Sequence, residues 1–558
     1  MNPLKSIFTA GALLLVAACG QGPDATESAD RVFTHGQVWT GGDAAGVDAE
    51  AFAVKDGRIL AVGASTDMAA YIDDGTEVVD LQGAFVVPGL IDNHVHFFEG
   101  SFTLTQVQLR DAATPEEFTR RIAEAAAKAP AGTWVLGGNW DHELWGGELP
   151  DRAWIDEVTG DVPVSVNRLD GHMVLANSKA LELAGIDAST PDPEGGVIVR
   201  DADGRPTGVL KDAAMFMMDK AVPKPSDARM EEVFKMGMAY AAQMGVTQVH
   251  DMAYNYRSLE TYRRLKDRDE LALRIYAFTP LEEWQSMQGY VAEHGRGDDM
   301  LRWGGLKGFV DGALGSTTAW MYEPYADAPE TSGFPLLSMN ELQNRVFGGA
   351  HAGLHVTVHG IGFQANDKLL DIFENVAARV DRTDLRFRIE HAQHLTESAI
   401  KRFSELDVTA SMHPYHLIDD GRWAVKRLGE DRLKGTYAIG SVMRAGGRVT
   451  FGSDWPVAPL DPIMGIYAAV TRQTLDGANP DGWIPDEKIS VLEALRAYTV
   501  NNAYAGYQED KLGLIKPGYL ADFVVLSDNL FAIDPVAIKD VSVLRTAIGG
   551  VDRYRAED

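Results

Sequence analysis

Cysteine is almost absent from this sequence. The 558 residues contain a single cysteine, Cys19, so no disulfide can form within the chain and its stability must come from a packed core. Positive charge is also scarce, because 51 lysines and arginines stand against 81 aspartates and glutamates, a formal net charge of −30. Nucleic-acid binders and proteins that dock electrostatically on anionic lipid present basic patches, so this balance argues against both classes.

Long apolar runs are missing except near the N-terminus. A lysine and a short apolar stretch within residues 5–16 lead through two alanines to Cys19. This pattern predicts a secretory signal over residues 1–18, which is too short to be taken first as a transmembrane span. The small, polar residues 19–30 are expected to form a flexible tether.

The ending VAAC of the signal resembles the bacterial lipoprotein box. The resemblance implies cleavage before Cys19, lipidation of its sulfur, and export to the bacterial cell envelope as a lipoprotein of the periplasm or outer membrane. The alternative is an ordinary cleaved signal in which Cys19 is incidental. If Cys19 is lipidated, membrane contact is expected only through this N-terminal lipid anchor.

The rest of the chain has the composition of a globular protein, with 45% hydrophobic and 24% charged residues. Residues 31–88 and 505–558 consist of short apolar stretches separated by glycine turns, which predicts one small β-sheet domain built from both termini. Between them, residues 89–504 alternate helical and strand-like segments, which favours an α/β fold and most simply a (β/α)8 TIM barrel. A segment of about 111–220 fits that alternation poorly and is interpreted as an insertion.

Two histidines end the first apolar run of the predicted barrel, in the stretch LIDNHVHF at 90–97. On a strand, residues i and i+2 point to the same side, so the rings of His94 and His96 would face one space. Two neutral imidazoles that converge in this way can form half of a metal site. The alternative is a surface histidine pair at a strand end.

Four further apolar runs carry an ionisable residue near the C-terminal end: Lys307, His359, His391 and Asp454. In a (β/α)8 barrel these strand ends face a common mouth, so the four side chains would converge with the histidine pair. Each one alone has a simpler reading, such as a hydrogen-bonded structural histidine, a lysine that reaches solvent or a helix-capping aspartate.

Several longer motifs occur around these residues: VVPGLIDNHVH, RLDGHMVLANSKAL, LKGFVDGALGSTTA, RIEHAQ, FGSDWPV and GLIKPGYLADFVVL. In these motifs the chain resembles the amidohydrolase superfamily, and within it the YtcJ-like branch that includes N-substituted formamide deformylases. The resemblance extends from about residue 31 to 534. It implies a (β/α)8 barrel with a composite β-sandwich, in agreement with the pattern of segments.

The resemblance also implies one or two divalent metal ions. Zinc is the best match to histidine-rich ligation, and manganese, iron or cobalt are the alternatives. The implied ligand set is His94, His96, Lys307, His359, His391 and Asp454. The two histidines of the HxH pair would bind one ion, and His359 and His391 the second. Lys307 would bridge the ions after carboxylation by CO2, with an unmodified lysine beside one ion as the alternative. Asp454 would touch metal and move the proton.

The implied reaction is hydrolysis of a C–N bond in a small amide-like substrate, other than a peptide bond, by metal-activated hydroxide. Three alternatives remain beside it: hydrolysis of an ester, lactone or other substrate at the same centre, deamination, and a non-catalytic lipoprotein that binds a ligand. A homo-oligomer is compatible with the sequence.

Four more residues are candidates for substrate contact: His172, His413, Trp140 and Trp320. His172 lies in the inserted segment and His413 follows the predicted seventh strand, and a structural hydrogen bond is the alternative for both. The two tryptophans could line an apolar pocket, although packing is the commoner role of this side chain.

Overall fold

The computed structural model describes residues 27–557, apart from residues 131, 170–172, 194–195 and 254–255. The predicted signal, the lipidation site at Cys19 and the candidate His172 therefore lie outside the described residues. Among the helices that are described, none combines the length and apolar character needed to cross a bilayer.

Eight parallel strands form the central sheet and follow one another in chain order. They are Leu90–Val95 (β1), Val246–Met252 (β2), Arg274–Pro280 (β3), Leu301–Phe309 (β4), His355–Gly360 (β5), Arg388–His391 (β6), Thr409–Met412 (β7) and Arg448–Phe451 (β8). Each strand pairs in parallel with the next. The first and last strands, β1 and β8, meet beyond their C-terminal ends. There the His96 amide donates to the Trp455 carbonyl and the Asp454 amide donates to the His94 carbonyl, both at 2.8 Å. The predicted (β/α)8 barrel is confirmed.

The outer helices surround this barrel. The longer ones are Asp227–Gln243, Tyr256–Lys266, Trp284–His294, Met339–His351, Phe363–Ala377, Glu397–Glu405 and Pro462–Thr471. Shorter helices are Phe97–Thr103, Pro414–Asp420, Ala424–Leu428, Ile439–Arg444, Val491–Tyr498 and Val500–Ala505. Serine or threonine side chains at positions 226, 338 and 396 accept an amide hydrogen bond at the helix start, which fixes where these helices begin.

Both termini contribute to the predicted β-sandwich, which is confirmed. One sheet contains Arg31–Thr34, Ala51–Lys55, Arg58–Gly63 and Glu77–Asp80, and the other contains Gln37–Val38, Phe85–Pro88, Phe523–Leu526, Val543–Ile548 and Val551–Arg555. Phe33, Phe52 and Phe523 pack between the sheets with ring centroids 4.8–4.9 Å apart. A buried ion pair between Arg274 and Asp522, with Nε and Oδ2 2.6 Å apart, joins the sandwich to the barrel.

The inserted segment forms a lobe with a six-stranded sheet of its own. Its strands are Val107–Gln108, Val135–Trp140, Val164–Arg168, Met173–Ala176, Gly196–Arg200 and Pro206–Asp212, and its helices are Pro115–Lys128, Ala153–Thr159, Ser178–Ala184 and Met215–Asp219. The sheet is mixed, with parallel pairs on one side and antiparallel pairs on the other. This mixture explains why the segment departs from the regular alternation of the barrel.

Candidate metal centre

The junction of β1 and β8 brings together His94, His96 and Asp454. The Nε2 atoms of His94 and His96 lie 3.4 and 3.3 Å from Asp454 Oδ1. Asp454 has a φ of 62°, a left-handed conformation that few non-glycine residues adopt and that is concentrated at functional sites. The buried Asp92 carboxylate accepts hydrogen bonds from the amides of His94 and Ser453, at 3.1 and 3.0 Å, and so ties the two chain segments together.

Lys307 extends from β4 into the same space. Its Nζ atom lies 3.3 Å from His94 Nε2, and the residue is only 4% exposed. Burial disfavours the ammonium form and lowers the pKa of Lys307 to about 8. Part of the amine is therefore neutral near neutral pH, and its nitrogen lone pair is available for reaction.

β5 and β6 contribute His359 and His391, whose ring centroids are 4.4 Å apart. His391 Nδ1 lies 4.0 Å from Asp454 Oδ2, and a φ of 71° turns this residue away from the regular strand direction. His359 Nε2 lies 2.9 Å from the Gly312 carbonyl oxygen and donates to it, which leaves the Nδ1 lone pair free. The six predicted residues thus form one contiguous cluster at one end of the barrel.

Glu390 fixes the orientation of His94. Its Oε2 atom lies 2.7 Å from His94 Nδ1, and its Oε1 atom lies 2.7 Å from the Nη2 atom of the equally buried Arg388. The carboxylate can only accept a hydrogen bond, so Nδ1 carries the proton and the Nε2 lone pair of His94 points towards Lys307 and Asp454. Glu390 belongs to the RIEH motif, but its role was not predicted from the sequence.

Two more histidines reach the cluster from the segment that follows β7. His413 packs its ring 4.7 Å from that of His94 and 4.6 Å from that of His391, measured between centroids. His416 Nε2 lies 3.8 Å from Asp454 Oδ2. His413 was a candidate for substrate contact, whereas His416 was not singled out by the sequence.

Four imidazoles of this cluster, those of His94, His359, His391 and His413, are neutral because they are buried. Burial is the largest effect on each ring, lowers the pKa of His359 to about 3 and that of His413 to about 4, and holds those of His94 and His391 well below the ordinary value. Each of these rings therefore offers a nitrogen lone pair at neutral pH.

The Asp454 carboxyl group is ionised. Burial alone would raise the pKa of this carboxyl group, but the hydrogen bond from His96 and the electrostatic effect of the neighbouring imidazoles outweigh it and hold the pKa of Asp454 well below the usual range. Neutral imidazole nitrogens and a carboxylate oxygen are the donors that divalent d-block cations prefer. Among the described residues, His391 Nδ1 and His413 Nε2 are buried without a hydrogen-bond partner, and a cation would satisfy both. The cluster therefore fits a divalent metal.

Comparison with known proteins agrees with this geometry. Residues 77–554 match the model of the amidohydrolase family, Amidohydro_3. The chain belongs to this family. Membership confirms the resemblance drawn from the motifs, and it makes the protein a metal-dependent hydrolase of the amidohydrolase superfamily.

Relatives of this amidohydrolase match nearly its whole length. It is 40% identical to the protein LONG AFTER FAR-RED 3 of Arabidopsis thaliana over 95% of this chain and 93% of the relative. It is 31% identical to the N-substituted formamide deformylase of Arthrobacter pascens over 92% of this chain and 96% of that enzyme. The crystal structure of an uncharacterized metal-dependent hydrolase from Pyrococcus horikoshii superposes with a TM-score of 0.77 at 27% identity, covering 90% of this chain and 99% of that one.

The two candidate tryptophans lie in different parts of the amidohydrolase. Trp140 is fully buried in the core of the inserted lobe, where its indole nitrogen donates to the Val166 carbonyl at 2.9 Å, so the structure does not bring it to the metal centre. Trp320 is half-buried in the loop after β4, and its backbone amide donates to the Asp311 carboxylate at 2.8 Å. An oxygen of the same carboxylate lies 3.7 Å from His359 Nε2. Asp311 thus contacts both the Trp320 backbone and one residue of the cluster.

Proposed function

We propose that this amidohydrolase cleaves the C–N bond of a small amide-like substrate, other than a peptide bond, at a centre of one or two zinc ions. The observation that carries the proposal is the buried cluster in which the lone pairs of several neutral imidazoles, the Asp454 carboxylate and the Lys307 amine meet. The similarity to a relative named N-substituted formamide deformylase supports an amide-like substrate.

The ligands divide between two ions in this proposal. His94 and His96 would hold one ion together with Asp454, since the nitrogen and oxygen atoms of these three residues all lie within 4.8 Å of one another. His359 and His391, with ring centroids 4.4 Å apart, would hold the second. Lys307 lies next to His94 and would bridge the two ions.

Bridging requires that the Lys307 amine be converted to a carbamate. The lone pair of neutral Nζ attacks the carbon of CO2 and forms the N–C bond, one C=O electron pair moves to oxygen, and the proton released from nitrogen passes to solvent. The two carbamate oxygens then provide two ligand atoms. The lowered pKa of Lys307, about 8, supplies the neutral amine that this step needs.

When bound, the ions would lower the pKa of water and polarise the substrate carbonyl group. Asp454 would accept the proton of the attacking water and then deliver it to the leaving nitrogen, as general base and general acid in turn. Glu390 would keep His94 in the tautomer that leaves Nε2 unprotonated. No serine or cysteine nucleophile takes part.

An activity screen with defined metals tests the proposal. Metal-stripped protein, reconstituted with Zn²⁺, Mn²⁺ or Co²⁺, would be offered formamides, N-acyl amines, N-acyl amino acids, esters and lactones, while bound metal is measured by elemental analysis. Release of an amine that requires bound metal is the expected result. Full activity without metal would refute the metal-dependent mechanism, and hydrolysis of esters or lactones alone would refute the C–N assignment.

A further inference from the structure

The segment MHPYH at 412–416 brings two imidazoles to the cluster from the start of one short helix. His413 is the residue before the helix Pro414–Asp420, and His416 lies in its first turn. Residues three apart on a helix lie on the same side, so both rings face the junction of β1, β6 and β8. Neither ring belongs to the ligand set that the motifs imply.

The protonation of His413 is fixed by its surroundings. Its Nδ1 atom lies 3.2 Å from the Gly452 carbonyl oxygen, and a carbonyl can only accept, so Nδ1 carries the proton. Nε2 of the neutral ring is then a bare lone pair, and it is buried without a hydrogen-bond partner among the described residues. A buried polar atom left without a partner destabilises the fold, so a bound cation at this position would be favourable. The ligand nitrogens of His413, His94 and His391 all lie within 4.8 Å of one another.

His416 offers a second unsatisfied nitrogen, and its ring centroid lies 6.3 Å from that of His391. Within the described part of the chain its buried Nε2 atom has no hydrogen-bond partner, and it lies 3.8 Å from Asp454 Oδ2. That separation is too long for a hydrogen bond. The ligand atoms of His416, His391 and Asp454 are all within 4.8 Å of one another, so a cation between them would satisfy all three.

We infer that His413 and His416 are ligands of the metal centre, in addition to the histidines supplied by β1, β5 and β6. The inference rests on the proposed function, because it assumes that the cluster binds divalent metal. With these two ligands, the segment after β7 contributes imidazoles to the centre as β1, β5 and β6 do. A centre with this many imidazoles favours cations that prefer imidazole nitrogen, such as Zn²⁺, over the oxygen-preferring Mg²⁺ and Ca²⁺.

Metal titration of variants tests this assignment without measuring activity. Metal-free wild-type protein, His416→Gln and the control His351→Gln would compete for Zn²⁺ with a chromophoric chelator. His351 is exposed on the helix Met339–His351 and stacks on Phe347, away from the cluster. Replacing an orienting neighbour of a ligand typically weakens metal binding 10–100-fold, so the loss of a direct ligand should weaken at least one Zn²⁺ site of His416→Gln by about 100-fold. The control should bind as the wild type does.

Two outcomes separate this inference from the proposed function. If the wild type binds Zn²⁺ and His416→Gln binds it equally well, the inference for His416 is wrong and the proposed function stands. If the wild type binds no divalent ion, both are wrong. His413→Gln removes a fully buried residue and risks misfolding, so X-ray absorption of the zinc-loaded wild type provides a second measurement. Without His413 and His416, the proposed division gives each of two ions two imidazoles, from His94 and His96 or from His359 and His391. If the measured number of imidazoles per ion does not exceed two, the inference for both residues is wrong.

Discussion

Replacement of Glu390 by glutamine gives a sharp test of how the metal centre is held in place. Glutamine has nearly the same shape but no charge, so Glu390→Gln weakens the 2.7 Å contact with His94 Nδ1 and leaves the Arg388 guanidinium without its carboxylate. Arg388 keeps a 2.8 Å hydrogen bond from Nη2 to the Asn93 carbonyl. All of these groups are fully buried, so water cannot replace the lost partner.

Two magnitudes follow from these contacts. Loss of a carboxylate that orients a metal-binding histidine lowers metal affinity by about 10–100-fold, which corresponds to about 1.4–2.7 kcal/mol. Removal of one partner from a buried ion pair costs about 3–5 kcal/mol of folding free energy. Glu390→Gln should therefore bind Zn²⁺ more weakly and also unfold at a lower denaturant concentration.

The assay combines Zn²⁺ competition with urea unfolding of the metal-free protein. Glu397→Gln is the matched control, because Glu397 is exposed at a helix start and pairs with the exposed Lys434, a type of contact worth about 0–1 kcal/mol. If folded Glu390→Gln binds Zn²⁺ within about twofold of the wild type, below the range given for an orienting carboxylate, His94 does not depend on this carboxylate and the reasoning is refuted.

Three further predictions concern the proton, the bridge and the N-terminus. Asp454→Asn should lower kcat by about 10²–10⁴-fold and still bind at least one ion, whereas the control Asp481→Asn, at an exposed position, should be fully active. An active Asp454→Asn would disprove the proton role. Bicarbonate should stimulate metal uptake by the metal-free protein, and the stimulation should increase as the pH rises through about 8, because the neutral form of Lys307 then predominates. Stimulation that persists in Lys307→Ala would contradict carboxylation. Cys19→Ala should move the protein from the membrane to the soluble fraction on cell fractionation, and its retention in the membrane would contradict the lipid anchor.

The barrel could be predicted because its strands are buried on both faces and therefore occur as continuous apolar runs. Against such runs a single ionisable residue at the strand end is conspicuous, as with Lys307 in LRWGGLKGF. The convergence of the six residues followed from topology alone, because parallel strands of a barrel share one mouth. Their individual roles remain predictions.

Only part of the contribution of β6 to the site could be predicted from the sequence. Alternation along a strand predicts that Arg388 and Glu390 share a face, and two opposite charges at i and i+2 in a buried strand were a signal for the pair that supports His94. His391 directly follows Glu390 and would point the other way in a regular strand. The positive φ of His391 reorients its side chain towards the centre. No local sequence pattern predicts such a backbone conformation for histidine.

His416 and Trp140 show two other limits. The spacing of His413 and His416 around Pro414, a residue favoured at the first position of a helix, could have placed both rings on one side. Trp140 could not be assigned, because a tryptophan in an apolar core and one in a substrate pocket have the same sequence context. Only the mixed sheet of the inserted lobe decides that it lies in a core.

The junction of β1 and β8 also sets when the enzyme can become active during its synthesis. Asp92 and Ser453, which are hydrogen-bonded across this junction, are 361 positions apart in the chain. A nascent chain that has exposed only the first strands holds His94 and His96 without the carboxylate that completes their site. Asp454 can join His94 and His96 only after β8 has been made and the barrel has closed, so a truncated product would carry the two imidazoles without this carboxylate.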